Sequence, residues 1–303
     1  SSQLNDNQLE ARALVEIGFL FAQRAEFDQA ASAAERGLEL LERTNDHSAI
    51  AYAWNILGRA LGGRGEYGRA LDAFQRSQEE AEKVGDRYLL AQAFNMQGWL
   101  HRELGNYEVG LDFDQEGIKL SRKWGKPSPE ISARLNLCLD VLYLGNQKRA
   151  LDMLNKIKTQ IDAGEFGFHK WRWWLRLMHA RGLCFLALGE PTKSLALAEE
   201  GLPLAEKNIT RKYIALNHQL RASALKELGK INKAIAAYKA AVSLADTIQY
   251  QPIRWSGRYQ LAELYKQLGD EQESQRSSSE AGDIVQTIAD AIEDYQDYLV
   301  IGN

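Results

Sequence analysis

Small residues recur along this chain with a period of about forty residues. Gly18, Gly58 and Gly98 lie 40 positions apart, and the same slot is then filled by Cys138, Gly182, Ala222 and Ala262. A second marker follows seven positions later in every unit, at Ala25, Gly65, Gly105, Gly145, Gly189, Gly229 and Gly269. A third follows after five more, at Ala30, Ala70, Gly110, Ala150, Ser194, Ala234 and Ser274. Seven such units predict a repeat protein in which each unit is one supersecondary element.

Each unit has the pattern of a helical hairpin. Its apolar residues are spaced three and four apart, as at Trp54, Leu57 and Leu61, which places them on one face of a helix. The second marker lies between the two halves, where a helix end favours a residue that accepts positive φ. Small residues at the other two markers let the paired helices approach closely. Since each hairpin exposes apolar surface on both flanks, neighbouring hairpins must stack into a solenoid.

The second unit resembles the tetratricopeptide repeat, whose motif runs aromatic, Leu-Gly, aromatic, Gly-x-aromatic, Ala, aromatic. It carries Trp54, Leu57-Gly58, Leu61, Gly65-x-Tyr67, Ala70 and Phe74. The third unit departs from the motif, with Gly110 and Asp114 in place of Ala and the last aromatic, and units four and seven have Arg134 and Arg258 in the first aromatic slot. The resemblance covers residues 7–280 and implies an all-α, right-handed α-solenoid of about seven hairpins with a C-terminal capping helix.

The long repeat further resembles the sensor arms of bacterial signal-transducing ATPases and transcription activators, and kinesin-light-chain-like adaptors. The extra residues of each unit fall in segments such as 42–46 and 82–86, which read as a helix stop followed by an Asp cap. Pro127 and Pro129 predict a stiff loop over residues 123–130. A four-residue slip falls at 163–168, where we expect a bend.

Three regions are expected: a start with a tag scar at 1–6, the repeat region at 7–280 and an acidic amphipathic helix at 281–303. From Asp270 onward the chain has nine acidic residues and one Arg, although its overall net charge is only −4.

The amphipathic helix at 281–303 is expected to cap the stack of hairpins, or to pair with a second copy of the chain. The acidic tail could also occupy the groove until a partner displaces it, so that deletion of residues 283–303 would raise affinity.

Composition excludes several classes of protein. With 45% hydrophobic and 26% charged residues, the chain is expected to fold around a sizeable core. It has no apolar run of roughly 18 residues and no signal-like start, so membrane insertion and secretion are disfavoured. Two cysteines far apart make no disulfide framework, which favours the cytoplasm.

No pattern of catalytic or metal-binding residues is present. The five histidines include no pair four residues apart. Cys184 has Arg181 nearby, which lowers a thiol pKa, but a packed thiol is the favoured interpretation. We therefore predict no enzyme, no cofactor and no metal.

The family resemblance implies a concave groove lined by the first helix of each hairpin. The residues assigned to it are polar, aromatic and basic, which suits an extended peptide or an acidic partner. They are Tyr52, Asn55, Arg59, Gln92, Asn95, Trp99, Arg102, Arg172, Arg176, His179, Gln219, Lys226, Tyr259 and Lys266.

Two features of this groove leave alternatives open. Asn55 and Asn95 occupy equivalent positions in successive units, where they form either an amide ladder for a peptide backbone or contacts to neighbouring residues. The segment 166–181 has three Trp, four cations and no acid. It is either core, with Trp171, Trp174 and Met178 packed inside, or a hot spot for a protein or small ligand; nucleic acid binding is disfavoured by the net charge.

The leading functional hypothesis is a non-catalytic protein- or peptide-binding scaffold that forms the regulatory or ligand-sensing region of a larger bacterial signalling or transcription-regulating protein. One alternative is a stand-alone adaptor that joins two proteins. Another is an oligomerisation module that senses a small-molecule effector, with a homodimer formed through the C-terminal helix.

Overall fold

The computed structural model describes residues 2–42, 44–124, 127–163 and 170–293, and within these ranges the chain forms fourteen helices and no strand. The helices are α1 Ser2–Gln23, α2 Phe27–Leu41, α3 His47–Arg64, α4 Tyr67–Lys83, α5 Arg87–Glu103, α6 Tyr107–Trp124, α7 Pro127–Tyr143, α8 Gln147–Asp162, α9 Lys170–Ala187, α10 Pro191–Lys207, α11 Arg211–Glu227, α12 Ile231–Thr247, α13 Gln251–Leu268 and α14 Glu271–Glu293. They succeed one another as seven pairs, which confirms the all-α class and the predicted hairpins.

The chain divides into two compact units, one of which includes residues 1–140 (unit 1) and the other residues 141–290 (unit 2). In unit 1, each helix from α1 to α5 packs on the next, and the first helix α3 also contacts the first helices α1 and α5. In unit 2, each helix from α8 to α12 packs on the next, and the first helix α11 also contacts the first helices α9 and α13. Within each unit, therefore, the hairpins stack in chain order as predicted.

The turn inside each hairpin uses a left-handed residue at the second marker. All seven markers have positive φ, from 59° at Ala25 to 83° at Gly105. A Cβ added to Gly105 would meet nothing within 4 Å, so glycine is needed there for its backbone conformation and not for space. Ala25 adopts the same turn despite a steric cost of about 1–2 kcal/mol.

Close approach of the paired helices explains the other small residues. A Cβ on Gly58 would lie 2.5 Å from the Phe74 ring, and one on Gly98 would lie 3.0 Å from the carbonyl oxygen of Gly110. Helix α4 therefore packs its aromatic side chain directly against the backbone of α3, as the small-residue markers predicted.

Two predicted helix starts are confirmed and one predicted loop is wrong. Asp46 caps α3 through the Ala49 amide, and Asp86 caps α5 through the amides of Tyr88 and Leu89. In contrast, α6 runs to Trp124 and α7 begins at Pro127, so the segment 123–130 is mostly helical. Proline is compatible with the first helical turn, whose N–H groups have no intrahelical partner.

The remaining predictions about chain organisation fall partly outside the described residues. The four-residue slip at 163–168, where we expect a bend, lies outside the described residues except for residue 163. Residues 281–293 continue α14 without a break from the seventh hairpin, and the predicted helix beyond Glu293, with its proposed contact to the groove, lies outside the described range. None of the described helices combines the length and apolarity needed to cross a membrane.

Candidate functional site

In unit 1, the predicted groove residues on α3 and α5 differ in accessibility. Tyr52, Arg59, Gln92 and Trp99 are partly exposed. The side chains of Asn55, Asn95 and Arg102 are buried, with exposed fractions of 0, 3 and 7%. These three cannot meet a partner on the surface of this conformation.

Asn95 and Arg102 belong to a buried polar cluster with Asp114, Asn136 and Asp140. Asn95 donates from Nδ2 to Asp114 Oδ1 at 3.0 Å, and its Oδ1 accepts from the Ser132 hydroxyl at 2.8 Å. Arg102 donates to Asn136 Oδ1 at 3.3 Å and lies 3.5 Å from Asp140 Oδ1. At Asn95, the structure therefore favours the alternative in which the amide holds neighbouring contacts.

The two carboxyl groups of the buried polar cluster share one positive charge. Burial raises the pKa of Asp114 well above its ordinary value, and the Asp140 charge raises it further, against the lowering effect of Arg102. Burial also raises the pKa of Asp140, although Arg102 and a hydrogen bond from Asp114 oppose this. The protonated form of Asp114 is thus favoured, with Asp140 the better partner for Arg102. Sequence analysis missed this cluster, although Gly110 and Asp114 were visible departures from the repeat motif.

Asn55 is held differently from its equivalent in α5. Its Oδ1 accepts from Arg59 Nε at 2.9 Å, and its buried Nδ2 has no hydrogen-bond partner among the described residues. The Arg59 guanidinium lies 6.0 Å from the centre of the Phe19 ring on α1. The two asparagines therefore have unlike surroundings, which does not suit a regular ladder.

In unit 2, the Trp- and Arg-rich helix α9 packs its aromatic side chains into the core and against its own arginines. Trp173 is 8% exposed, and the guanidinium groups of Arg172 and Arg176 lie 5.9 and 5.7 Å from the centre of its ring. Leu175 and Met178 form a core with Ala205 of α10, against which Trp171 and Trp174 pack partly buried. The aromatic residues thus contribute mainly to packing, while Arg172 and Arg176 are partly exposed.

The other predicted residues of unit 2 connect its first helices. Gln219 of α11 donates to the Ser256 hydroxyl of α13 at 2.8 Å, and Lys226 of α11 donates to Gln260 Oε1 of α13 at 2.8 Å.

The remaining predicted residues of unit 2 differ in their surroundings. Burial and the charge of Lys212 lower the pKa of His179 to about 4, so this imidazole is neutral at pH 7. Tyr259 and Lys266 are exposed on α13, which leaves a polar, basic and aromatic set on adjacent helices.

Charge is distributed unevenly between the first and second helices of these hairpins. Helices α9, α11 and α13 together carry eleven Lys and Arg against two Glu, whereas α10, α12 and α14 carry five basic and ten acidic residues. Part of this positive charge is neutralised inside the unit, since Arg254 and Arg258 pair with Asp246. The first helices of unit 2 still present a strongly positive set of side chains.

The described residues offer no obvious centre for chemistry. Burial raises the pKa of the Cys184 thiol to about 12 despite Arg181, which agrees with a packed thiol. No group of three or more His, Cys, Asp or Glu among them could hold a metal ion.

Two segments of the chain match family models of a known repeat. A family model described as tetratricopeptide repeat matches residues 48–123, and a second model with the same description matches residues 217–247. No curated protein matches the chain significantly.

Solved structures similar to this chain are distant in sequence. A Rap protein complexed with Competence and Sporulation Factor superposes with a TM-score of 0.72 at 14% identity, over 93% of this chain and 76% of that one. NprR in complex with its cognate peptide NprX gives 0.70 at 11% identity, over 98 and 84%. A signal transduction ATPase with a tetratricopeptide repeat sensor from Pyrococcus horikoshii gives 0.51 at 17% identity, over 95 and 43%. At these identities, the similarity concerns the fold.

Proposed function

We propose that this chain, whose residues 48–123 and 217–247 match models of the tetratricopeptide repeat, is a non-catalytic regulatory module that binds a peptide or an extended segment of a partner protein. The distant structures include a Rap protein bound to Competence and Sporulation Factor and NprR bound to its cognate peptide NprX, which supports this class of ligand. The similarity to a signal transduction ATPase that has a tetratricopeptide repeat sensor, and of which 43% is covered, supports a role as the regulatory part of a larger protein.

The observation that carries the proposal is the charge segregation in unit 2. A peptide with carboxylate side chains gains charge-assisted hydrogen bonds from arginines, whose planar guanidinium groups match carboxylate geometry. The guanidinium groups of Arg172 and Arg176 lie 5.9 and 5.7 Å from the centre of the buried Trp173 ring, a contact that limits their freedom before a ligand arrives. An acidic peptide on the first helices of unit 2 is therefore the ligand that fits best.

Regulation would follow from occupancy of this surface. A bound peptide that bridges α9, α11 and α13 favours one arrangement of these stacked helices over others, and the shift in population is passed to an effector outside this chain. The ligand must bind the two arrangements with different affinity for this to occur.

The proposal is tested by selecting binders from a displayed library of random twelve-residue peptides and measuring the affinity of the selected peptides by fluorescence anisotropy. We expect enrichment of Asp and Glu. Replacing both arginines, Arg172→Gln with Arg176→Gln, should weaken the best acidic peptide by about tenfold or more, equivalent to about 1.4 kcal/mol.

A matched control is available on the second helix of hairpin four. Lys148→Gln with Arg149→Gln removes the same charge from an exposed part of α8 and should change affinity less than twofold. Equal losses in the two double variants, or a library that yields no binder, would contradict the proposal.

A further inference from the structure

A cavity of about 420 Å³ lies among the first helices of unit 1. We call it the α1–α3–α5 pocket, after the helices around it. It is lined by Arg12, Val15, Glu16, Ser48, Ala49, Tyr52, Asp86, Tyr88 and Leu89. Its volume lies within the range of small-molecule sites, or of pockets for one or two peptide side chains.

The charged groups of the pocket leave it negative. Arg12 donates to Asp46 Oδ2 from Nη2 at 2.6 Å and from Nε at 3.0 Å, so the charge of this arginine is already paired with a carboxylate. Glu16 and Asp86 then contribute two further negative charges. The N-terminus of α5, which Asp86 caps, and Arg59 near Tyr52 offset part of this charge.

Both carboxylates are held in place but can still accept hydrogen bonds. Asp86 receives the amides of Tyr88 and Leu89 on Oδ1 and the Ser48 hydroxyl on Oδ2 at 3.3 Å. Glu16 is exposed and hydrogen-bonded to the Tyr52 hydroxyl. A carboxylate has about four lone-pair sites, so each group keeps capacity for a ligand donor.

The remaining walls suit the stem and face of an organic cation. Val15, Ala49 and Leu89 provide apolar surface, and Tyr52 and Tyr88 line the same space. Aromatic faces attract ammonium and guanidinium groups, and more strongly where water is partly excluded. Burial and the Glu16 charge raise the pKa of the Tyr52 hydroxyl above its ordinary range, so Tyr52 stays neutral and can act in this way.

We propose that the α1–α3–α5 pocket binds a guanidinium or ammonium group on a short aliphatic stem, such as an arginine or lysine side chain, between Glu16, Asp86 and the two tyrosines. This site is separate from the acidic-peptide surface proposed for unit 2 and does not depend on it. The opposite charge preference of the two sites makes their tests independent.

The test is an NMR titration of the full chain with n-butylguanidinium, followed through the backbone amide signals of Ala49, Tyr88 and Leu89. We expect saturable shifts with a Kd of about 1–10 mM, which is in keeping with a ligand of this size. The neutral isostere n-butylurea has the same shape without the charge and should bind at least about fivefold more weakly.

Variants assign the binding to the carboxylates. Glu16→Gln with Asp86→Asn removes both charges but keeps an acceptor for Tyr52 and a cap for α5, since Asn caps helices as well as Asp does. We expect a loss of about fivefold or more in affinity for n-butylguanidinium. The control Glu39→Gln with Glu82→Gln, at exposed positions of α2 and α4, should leave affinity unchanged.

A filling variant guards against a failure of the double variant to fold. Ala49→Leu should block the pocket and abolish the shifts while all carboxylates remain. Equal binding of n-butylurea, wild-type affinity in the Glu16 and Asp86 double variant, unaltered binding in Ala49→Leu, or no shifts in the wild-type chain up to about 50 mM ligand would each overturn the proposal.

Discussion

At the scale of single residues, the most informative position is Asp114, which occupies an aromatic slot of the repeat motif. A buried carboxyl there is tolerated because Asn95 and Asn136 donate to it and because Gly98 leaves room for it. Its cost is electrostatic, since Asp140 lies beside it and one arginine serves both groups. Stability should therefore depend on the protonation of Asp114.

Asp114→Asn should raise the free energy of unfolding at pH 7, on the order of 1 kcal/mol, because an amide can accept from Asn95 and donate to Asp140 without a charge. The folded pKa of Asp114 lies above its ordinary 3.8, so wild-type stability from this group is complete below that pH. This contribution to stability is lost as the pH rises from 3.8 through the folded pKa, because over that range Asp114 loses its proton in the unfolded state but keeps it in the folded state.

Urea unfolding between pH 3 and pH 8 measures this difference. The gap between variant and wild type should widen with pH over that interval. Asp112→Asn changes the same charge at an exposed site on α6 and should show no such trend. A constant gap would mean that Asp114 is not the titrating group.

At the scale of helices, Arg258 shows that ion pairs can join neighbouring helices at a motif position usually filled by an aromatic residue. It lies in the first aromatic slot of hairpin seven, where it binds Asp246 of α12 at 2.8 and 3.1 Å and Glu280 of α14 at 2.8 Å. Burial raises the pKa of Asp246, but Arg258 and Arg254 lower it more, and Arg258 is the main cause of the lowered pKa of Glu280. One side chain thus ties α13 to both of its second-helix neighbours.

Arg258→Met should lower the free energy of unfolding at pH 7 by about 1 kcal/mol after solvent screening, because two carboxylates lose their partner. The folded pKa values of Asp246 and Glu280 lie below their ordinary 3.8 and 4.5, so this stabilisation is present above those values and is lost as the pH falls through the folded pKa values.

Guanidinium chloride would screen this interaction, so urea unfolding at pH 7 and pH 3 is the suitable measurement. The deficit of Arg258→Met should shrink at pH 3. Arg276→Met removes a more exposed arginine, 66% accessible, that also contacts Glu280, and should cost less. A deficit that is the same at both pH values would indicate lost packing of the arginine stem instead.

At the scale of the whole molecule, contacts between helices are local in sequence. In each unit, a hairpin contacts the hairpins before and after it, so stability is carried by neighbouring pairs and not by one central core. Loss of a core residue should then be felt most in its own unit. This property is compatible with the two binding sites of opposite charge preference that we propose, one in each unit.

Phe74→Ala should lower the stability of unit 1 by about 3–5 kcal/mol, since the ring is fully buried against Gly58. Native-state hydrogen exchange should show a larger loss of protection in α3–α5 than in α11–α13. Tyr238→Ala, at a 1% exposed site in α12, should give the reverse pattern. Equal losses throughout the described helices in both variants would show that the chain unfolds as one cooperative body.

The sequence by itself determined the features that depend on residues close together in the chain. The period, the left-handed markers, the Asp46 and Asp86 caps and the small residues between paired helices could all be read from it, because turn and capping energies are local. The exception at Pro127 has the same local character, since proline both discourages helix before it and suits a helix start. Which of the predicted groove residues contact a ligand stays a prediction.

Only the tertiary structure decided which polar residues are buried and which cations are paired. Asn95 and Arg102 have the composition of a binding groove, yet they meet partners 34 to 41 residues away, on the next hairpin. The α1–α3–α5 pocket likewise draws its walls from three hairpins. Desolvation and ion pairing depend on all the neighbours of a group in space, and in a repeat protein those neighbours lie about one repeat away, beyond the reach of local pattern.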